Sequence, residues 1–529
     1  MNSNRIIALI TAMVMALSLV ACGGASKSVS SSDEQTTATE ADVTISDNSA
    51  IDGENPWAGI VDTSKEMTMY VHVFGTDPTD MSEVLDLINA RLMKLVNTKI
   101  ELSFIALADW PTKYPLLLTG GDSIDLVYAS GWNGYAENAK KGAFVELTPD
   151  FINTYMPMSA KMESEAAWKQ AKVGDQIYAV PRNYTQNQSY GAVLIRKDIR
   201  EKYGIPEVTD FDSYENFLFE VAANDKEGYG MYAFPSLPMV GEFMMPEQNV
   251  YTVYNNLVWC ADDEPDADNL QFLYTTDAYH WYIEKMAEWA KRGVWPTSAI
   301  SSTTHTFDQF SEGRSYSLAA RLQEVGTYLR AAEALGGECE FVDIIPDGSY
   351  TRLSDYSGDM MAISSFSQDP ERAALVLDIL KCDKEINELC QGGIEGRHYI
   401  ANDDGTRSNG PEYEDYEYSG WAWGLREGTY YREEAVDPRI ASVEASFNEK
   451  LMPDDMWIFD GFSTDDTKYS AEIAVINSIV SEYQYSFDLG VYGDQTEEKY
   501  QEFVKKLNDA GLEKVMEEWI NQAKTFTGT

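Results

Sequence analysis

Strand-like and helix-like segments alternate between residues 67 and 128, and this alternation constrains the fold more than any other feature. The three strand-like segments are short and rich in β-branched and aromatic residues; they are 67–74 (MTMYVHVF), 99–105 and 124–128 (IDLVY). Between them, residues 81–96 carry apolar side chains at helical spacing, and 114–118 forms part of a shorter helix. Because the connections are short, the pattern predicts a parallel sheet covered by helices, which is an α/β fold.

Polar and aromatic side chains follow the second and third of these strands. The carboxyl ends of parallel strands in an open α/β sheet border one crevice, where ligands bind. Four candidate ligand-binding residues lie there: Asp109, Trp110, Trp132 and Asn133. Tryptophan rings can stack on an apolar ligand face, and amide and carboxylate groups can form hydrogen bonds with polar groups of a ligand. The alternative for each tryptophan is a packing role that caps the lobe.

The N-terminus predicts export and a lipid anchor. Arg5 precedes the apolar run 6–20, which is shorter than a membrane span and typical of a secretory signal. Leu19-Val20-Ala21-Cys22 resembles the lipobox of bacterial lipoproteins, so we expect a signal peptide at 1–21 and lipidation at Cys22. Residues 22–56 are rich in Ser, Thr and acidic residues and predict a disordered tether on the outer face of the cell membrane.

The charge of the chain excludes two classes of partner. With 40 basic and 87 acidic residues, the net charge of −47 repels nucleic acid and anionic lipid headgroups, so membrane contact is expected only through the lipid anchor. The four His have no zinc-ligand spacing and there is no CxxC, so we expect neither a metal nor a cofactor. We expect four cysteines to be free buried thiols: Cys260, Cys339, Cys382 and Cys390. The alternative is that two of them form one disulfide.

Several motifs carry a resemblance to a known family. The run 114–149, with Gly120-Gly121, Asp125 and a closing G-x-hydrophobic-x-x-L-T pattern, resembles the extracellular solute-binding proteins of family 1, which include maltose-binding protein. The stretch GDQIYAVP from Gly174 is similar to the family's crossing between lobes. GIEGRHY at 393–399 and the region 459–522 are similar to the LplA-like subgroup of lipoproteins from bacterial ABC transporters.

This resemblance implies a two-lobe periplasmic-binding-protein-like fold of type II, with hinge crossings and extra C-terminal helices. We expect a first lobe from 57–182 and 314–366, and a second lobe from 183–313 and 367–529. The implied function is that of a monomeric receptor, not an enzyme, which captures an oligosaccharide between its lobes and delivers it to an ABC permease.

The resemblance and the residue types add eight candidate ligand-binding residues. Two lie in the polar hinge segment 182–188, two where maltose-binding protein has an aromatic contact, two in GIEGRHY, and two in a Trp-Ala-Trp loop; they are Asn183, Gln186, Arg321, Gln323, Glu395, Arg397, Trp421 and Trp423. Glu395 and Arg397 could instead pair with each other, and the two tryptophans could pack between the lobes.

Two rival functions stay open. A secreted glycan-degrading enzyme needs two carboxylates at a fixed separation, but among 87 acidic residues such a pair carries no information, and there is no G-x-S-x-G, H-E-x-x-H or Walker motif. A binding protein for peptides or anionic solutes is also open, because Arg182 and Arg196 could pair with a carboxylate.

Overall fold

The computed structural model describes residues 55–107, 109–120, 123–187, 189–232, 243–302, 304–403, 405–416, 420–428 and 437–528. All of them belong to one compact unit, Gly53–Thr529. The predicted signal peptide, Cys22 and all but the last two residues of the predicted tether lie outside the described residues. Within the described part of the chain, no helix is both long and apolar enough to cross a membrane.

The strands of the described chain are β1 (Met67–Phe74), β2 (Thr98–Ile105), β3 (Leu126–Ala129), β4 (Lys172–Val173), β5 (Gln176–Ile177), β6 (Ala179–Pro181), β7 (Ala192–Arg196), β8 (Val250–Tyr254), β9 (Leu257–Cys260), β10 (Gln271–Phe272), β11 (Ser317–Ala319), β12 (Cys339–Asp343), β13 (Met360–Ile363), β14 (Tyr399–Ala401) and β15 (Arg407–Asn409).

The helices are α1 (Met81–Val96), α2 (Trp110–Gly120), α3 (Tyr135–Lys140), α4 (Pro149–Tyr155), α5 (Ser159–Met162), α6 (Glu165–Gln170), α7 (Lys197–Lys202), α8 (Phe211–Asn224), α9 (Met245–Glu247), α10 (Asp277–Arg292), α11 (Thr306–Ser311), α12 (Val325–Ala334), α13 (Pro370–Cys382), α14 (Lys384–Gly392), α15 (Pro438–Glu449), α16 (Ser470–Asp488), α17 (Thr496–Asp509) and α18 (Leu512–Thr527).

The first sheet has five strands in the order β2-β1-β3-β13-β6. β1 pairs in parallel with β2 over eight residues and with β3, whereas β13 runs antiparallel to β3 and β6. The predicted α/β architecture is therefore observed, with the three expected strands as its parallel part. Since β1, β2 and β3 all end at the same edge, the loops that follow them meet there.

The second sheet is antiparallel, in the order β11-β7-β12. Val193 and Ile195 of β7 share one apolar core with residues of α8, α10 and the three C-terminal helices. Ala192 and Leu194 point to the other side, into a core that includes residues of α12 and α15. The period-two alternation of β7 thus places helices on both faces of this sheet.

The pairing of β11 and β12 with β7 differs from the lobe boundaries expected from the sequence, which put 314–366 in the first lobe. The expected boundaries also put α13 in the second lobe, as part of 367–529. In the structure α13 packs against β13, α4 and α5, which are elements of the first lobe. On this pairing we propose that the second lobe contains 190–343 and 437–528, and the first lobe the remainder of the described chain except the crossings.

The chain N-terminal to β1 is fastened to α13. Trp57 is buried, and its indole N–H donates to Asp378 at 2.7 Å. Arg91 of α1 makes a two-bond ion pair with Asp383 at the end of α13. Because every residue of α13 from Arg372 to Cys382 is buried, the helix is a central element of its lobe.

Three crossings between the two sheets lie in the described chain: 182–191 apart from residue 188, 344–359, and a third whose described ends are 424–428 and 437. The first contains the polar hinge segment that begins at Arg182. Asp359 holds the crossings together, because it accepts hydrogen bonds from Arg182 of the first crossing and Arg426 of the third. None of the four cysteines, Cys260, Cys339, Cys382 and Cys390, forms a disulfide in the described chain.

Candidate ligand-binding site

Trp132 is the exposed aromatic residue at the carboxyl edge of the first sheet. It lies in a short 3-10 turn, Gly131–Asn133, that begins at Ser130 directly after β3. Its side chain is 56% exposed, yet the indole N–H donates to the carbonyl of Gly358 at 2.9 Å. Phe74, at the end of β1, contacts the ring edge-on with centroids 5.9 Å apart. Trp132 therefore presents a large ring in a fixed orientation.

Trp110, in contrast to Trp132, is buried. Only 4% of it is exposed, because it stacks on Tyr114 at 4.3 Å and packs against Phe74 at 4.9 Å. It caps the lobe and offers no face to a ligand. Its neighbour Asp109 makes an ion pair with Lys113 at the surface.

Asn133, beside Trp132, is partly buried, and its amide Nδ2 is buried without a hydrogen-bond partner in this structure. A buried donor without a partner is costly, and a ligand oxygen would satisfy it. Trp132 and Asn133 thus combine a stacking surface with an amide donor at one turn.

Of the two hinge residues predicted to contact ligand, one already uses its side chain in hydrogen bonds within the protein. The Asn183 side chain accepts from the backbone N–H of Gly428 and donates to the buried carboxylate of Glu427. Gln186 pairs through its backbone with Ser354 of the second crossing, at 2.8 and 3.2 Å. Asn183 therefore fastens the first crossing to the third, whereas the partly buried side chain of Gln186 has no such role.

Arg321 and Gln323 lie at the hinge end of the second sheet, just after β11. The Arg321 guanidinium stacks on Tyr190 at 4.2 Å and donates to its hydroxyl. Gln323 is exposed and donates to the backbone carbonyl of Asn187 in the first crossing. Both candidates are therefore beside the hinge, on the lobe opposite Trp132.

The GIEGRHY turn lies against the start of α1. Arg397 makes ion pairs with Asp80, Glu83 and Glu412 at 2.6 to 2.7 Å, whereas Glu395 is exposed and does not pair with it. His398 is also close to Asp80 and Glu412, a grouping with the geometry of a cation site. Because Arg397 already neutralises both carboxylates, this turn is better described as an ion-pair cluster.

Trp423 is fully buried beneath the first sheet. The next residue, Gly424, has φ +67°, and a Cβ there would lie 2.1 Å from the carbonyl oxygen of Met360. This close approach seats the loop against β13. The side chain of Trp421 lies outside the part that the structure describes.

Two features near the hinge have no signal in the sequence. Arg352 in the second crossing stacks on Trp457 at 3.5 Å. These two residues are too far apart in the sequence for a local pattern to reveal their contact. Across the lobes, Tyr254 of β8 donates to Glu137 of α3, and Lys140 of α3 donates to the carbonyl of Thr464 at 2.9 Å. These contacts join the lobes beside the turn that carries Trp132.

A carboxylate at the lobe junction is also perturbed. Asp460 accepts a hydrogen bond from Gln170 of α6 at 2.7 Å. Burial is the largest influence on this group and raises the pKa of Asp460, with nearby Asp355 acting in the same direction. The junction therefore favours less negative charge than the surface of this acidic chain.

Comparisons with known proteins agree with this geometry. Residues 458–528 match a domain of unknown function, DUF3502. The chain is 21% identical over 481 residues to a carbohydrate ABC transporter substrate-binding protein of Streptococcus pneumoniae, covering 88% of this chain and 92% of the relative. The resemblance to ABC-type solute-binding proteins is confirmed.

Solved structures are similar over most of the chain. The N-glycan transport solute binding protein from Streptococcus pneumoniae, in complex with Man1GlcNAc, has a TM-score of 0.68 at 17% identity, covering 88% of this chain and all of that one. FusA from the same organism, in complex with kestose, has a TM-score of 0.61 at 15% identity, with the same coverage. The two-lobe solute-binding fold predicted from the sequence is confirmed.

Proposed function

We propose that this chain is the extracellular solute-binding receptor of an ABC importer, which captures an oligosaccharide between its two lobes and delivers it to a membrane permease. The observation that carries the proposal is Trp132, an exposed indole held in one orientation at the carboxyl edge of the first sheet. A fixed aromatic face beside an amide donor suits a ring with apolar C–H faces and hydroxyl rims.

The hinge supports capture by closure. The described parts of the three crossings are tied together by Asp359, Arg182 and Arg426, so the lobes can rotate about these segments. Closure brings the second-lobe residues Arg321 and Gln323 toward the first-lobe turn. We propose that the protein acts as a monomer, anchored through lipid at Cys22, and docks on the permease in its closed form.

The rival function, glycan hydrolysis, has less support. A glycosidase needs one carboxylic acid and one carboxylate facing the substrate. The buried carboxylates nearest the hinge, Asp359 and Glu427, instead accept hydrogen bonds from Arg182, Arg426 and Asn183. The matched relative and the similar solved structure are named as substrate-binding and solute-binding proteins.

The test is calorimetric titration of an oligosaccharide panel with the wild type and Trp132→Ala. We expect micromolar or tighter binding of at least one oligosaccharide, weakened about tenfold or more in the variant, since a lost stacking surface costs roughly 1–2 kcal/mol. Tyr485→Ala, which removes an exposed aromatic ring from α16, is the matched control and should bind like the wild type.

Two results would contradict the proposal. One is that no oligosaccharide binds or raises the melting temperature. The other is that prolonged incubation with a bound oligosaccharide yields cleaved products, which would establish an enzyme.

A further inference from the structure

Arg321 differs from most arginines of this acidic chain in having no carboxylate partner. Most of the others are paired; examples are Arg91, Arg182, Arg196, Arg200, Arg397 and Arg439. Among the described residues, none places a carboxylate oxygen within 4 Å of the Arg321 guanidinium, which contacts Tyr190 through one N–H and through the face of the ring. Its Nε is buried and has no hydrogen-bond partner.

Glu324, the nearest acidic neighbour in sequence, interacts electrostatically with Arg321, although the two make no ion pair among the described residues. Burial raises the pKa of the Glu324 carboxyl, and Arg321 lowers it. The other hinge arginines are neutralised, since Arg182 and Arg426 share Asp359 and Arg352 lies 3.7 Å from Asp355. Of the hinge arginines that the structure describes, Arg321 is therefore the one without an ion pair.

Two contacts with Tyr190 restrict this guanidinium: its Cζ lies over the ring, 4.2 Å from the centroid, and one N–H donates to the ring hydroxyl. A guanidinium held in plane presents parallel N–H groups, the geometry that binds carboxylate or sulfate through two hydrogen bonds. A half-buried cation with a donor left over gains more from an anion than from neutral hydroxyls, because a charged acceptor makes the stronger bond in a poorly solvated site.

We infer that the ligand is an acidic glycan and that Arg321 is the specificity-determining residue that binds its carboxylate or sulfate group. This inference rests on the proposed function and names the substrate class of the same site. The other arginines considered from the sequence, Arg182 and Arg196, are excluded from this role because Asp359 and Asp198 occupy them.

The test uses glycan pairs that differ only in the acidic group. Tetragalacturonate is compared with the same tetrasaccharide after reduction of its carboxyls to alcohols, and a sulfated oligosaccharide with its desulfated form. We expect the wild type to prefer the acidic member of at least one pair by tenfold or more in dissociation constant, and the pair that shows it identifies carboxylate or sulfate as the group bound.

Arg321→Gln should remove that preference by weakening the acidic member alone, while the neutral member binds as before. Arg330→Gln is the matched control, because it removes the same charge from the exposed face of α12, where the Arg330 guanidinium donates to the hydroxyl of Thr327. Circular dichroism and melting temperature establish that each variant is folded.

Equal affinity for both members of every pair, or equal weakening of both members by Arg321→Gln, would overturn the inference while leaving the proposed function intact. Loss of the preference in Arg330→Gln as well would overturn it too, because a general field effect would then explain the result. Failure of every glycan, neutral or acidic, to bind would overturn the proposed function itself.

Discussion

Replacing Asp488 by Asn should make the protein more stable at alkaline pH. Asp488 ends α16 and is almost completely buried, and one of its oxygens accepts from Tyr282 at 3.0 Å. Burial raises the pKa of Asp488 from 3.8 to about 7, although Tyr282 and Gln484 both oppose this. The folded state therefore holds a proton that the unfolded chain releases near pH 4.

The sign and size follow from proton linkage. A carboxyl whose pKa is raised by folding contributes stability that is fully present below its unfolded pKa and is lost as the pH rises through its folded pKa. Each tenfold change in proton affinity is worth about 1.4 kcal/mol, so the whole loss between pH 4 and 8 is about 4 kcal/mol. Between pH 5 and 8 the loss is about 3 kcal/mol, and the Asn variant does not suffer it.

The assay is urea unfolding, followed by circular dichroism, of the wild type and Asp488→Asn at half-unit intervals from pH 5 to 8.5. The difference in unfolding free energy between the two proteins isolates this group, since every other titration is common to both. Asp454→Asn, an exposed change in the same lobe, is the control and should leave the pH profile unaltered. If the curves of the wild type and Asp488→Asn run parallel, the reasoning about the buried carboxyl is wrong.

Two further substitutions test how the first lobe is held together. Gly424→Ala should cost more than 2 kcal/mol in urea unfolding, because the added Cβ would meet the Met360 carbonyl and the backbone has φ +67°; Gly461→Ala, at φ +80° with its nearest neighbour 3.5 Å away, should cost only about 1 kcal/mol. A similar cost for both would show that the close approach at Gly424 does not matter. Trp57→Phe should cost about 1–3 kcal/mol, because it removes a hydrogen bond to the buried Asp378. The same cost from Trp57→Phe in an Asp378→Ala background, which has no side-chain acceptor, would argue against that bond.

Local patterns in the sequence predicted the first lobe well, because its parallel strands are adjacent along the chain. β1, β2 and β3 begin and end within two residues of the expected segments. The pairing of the second sheet was not predicted from the sequence, for a physical reason: β11 and β12 pair with β7 across more than a hundred residues, and periodicity encodes which face of a strand is buried but not which strand lies beside it.

The candidate site was only partly accessible to the same reasoning. Trp110 and Trp132 both follow strands, and the sequence does not distinguish them; the difference arises because Tyr114 and Phe74 cover the first and leave the second exposed. Arg397 was considered as a partner of Glu395, but the acids it contacts, Asp80 and Glu83, are more than three hundred residues away. The ligand contacts themselves stay predictions.

The bond between Trp57 and Asp378 has a mechanical consequence. Any tension arriving along the N-terminal chain is transferred at Trp57 to α13, the fully buried centre of the first lobe, before it can reach a crossing. With lipid at Cys22 as proposed, the first lobe would be the lobe attached to the membrane, and the second lobe would move relative to it. Thermal motion of the membrane would then displace the whole protein without opening the cleft around a bound ligand.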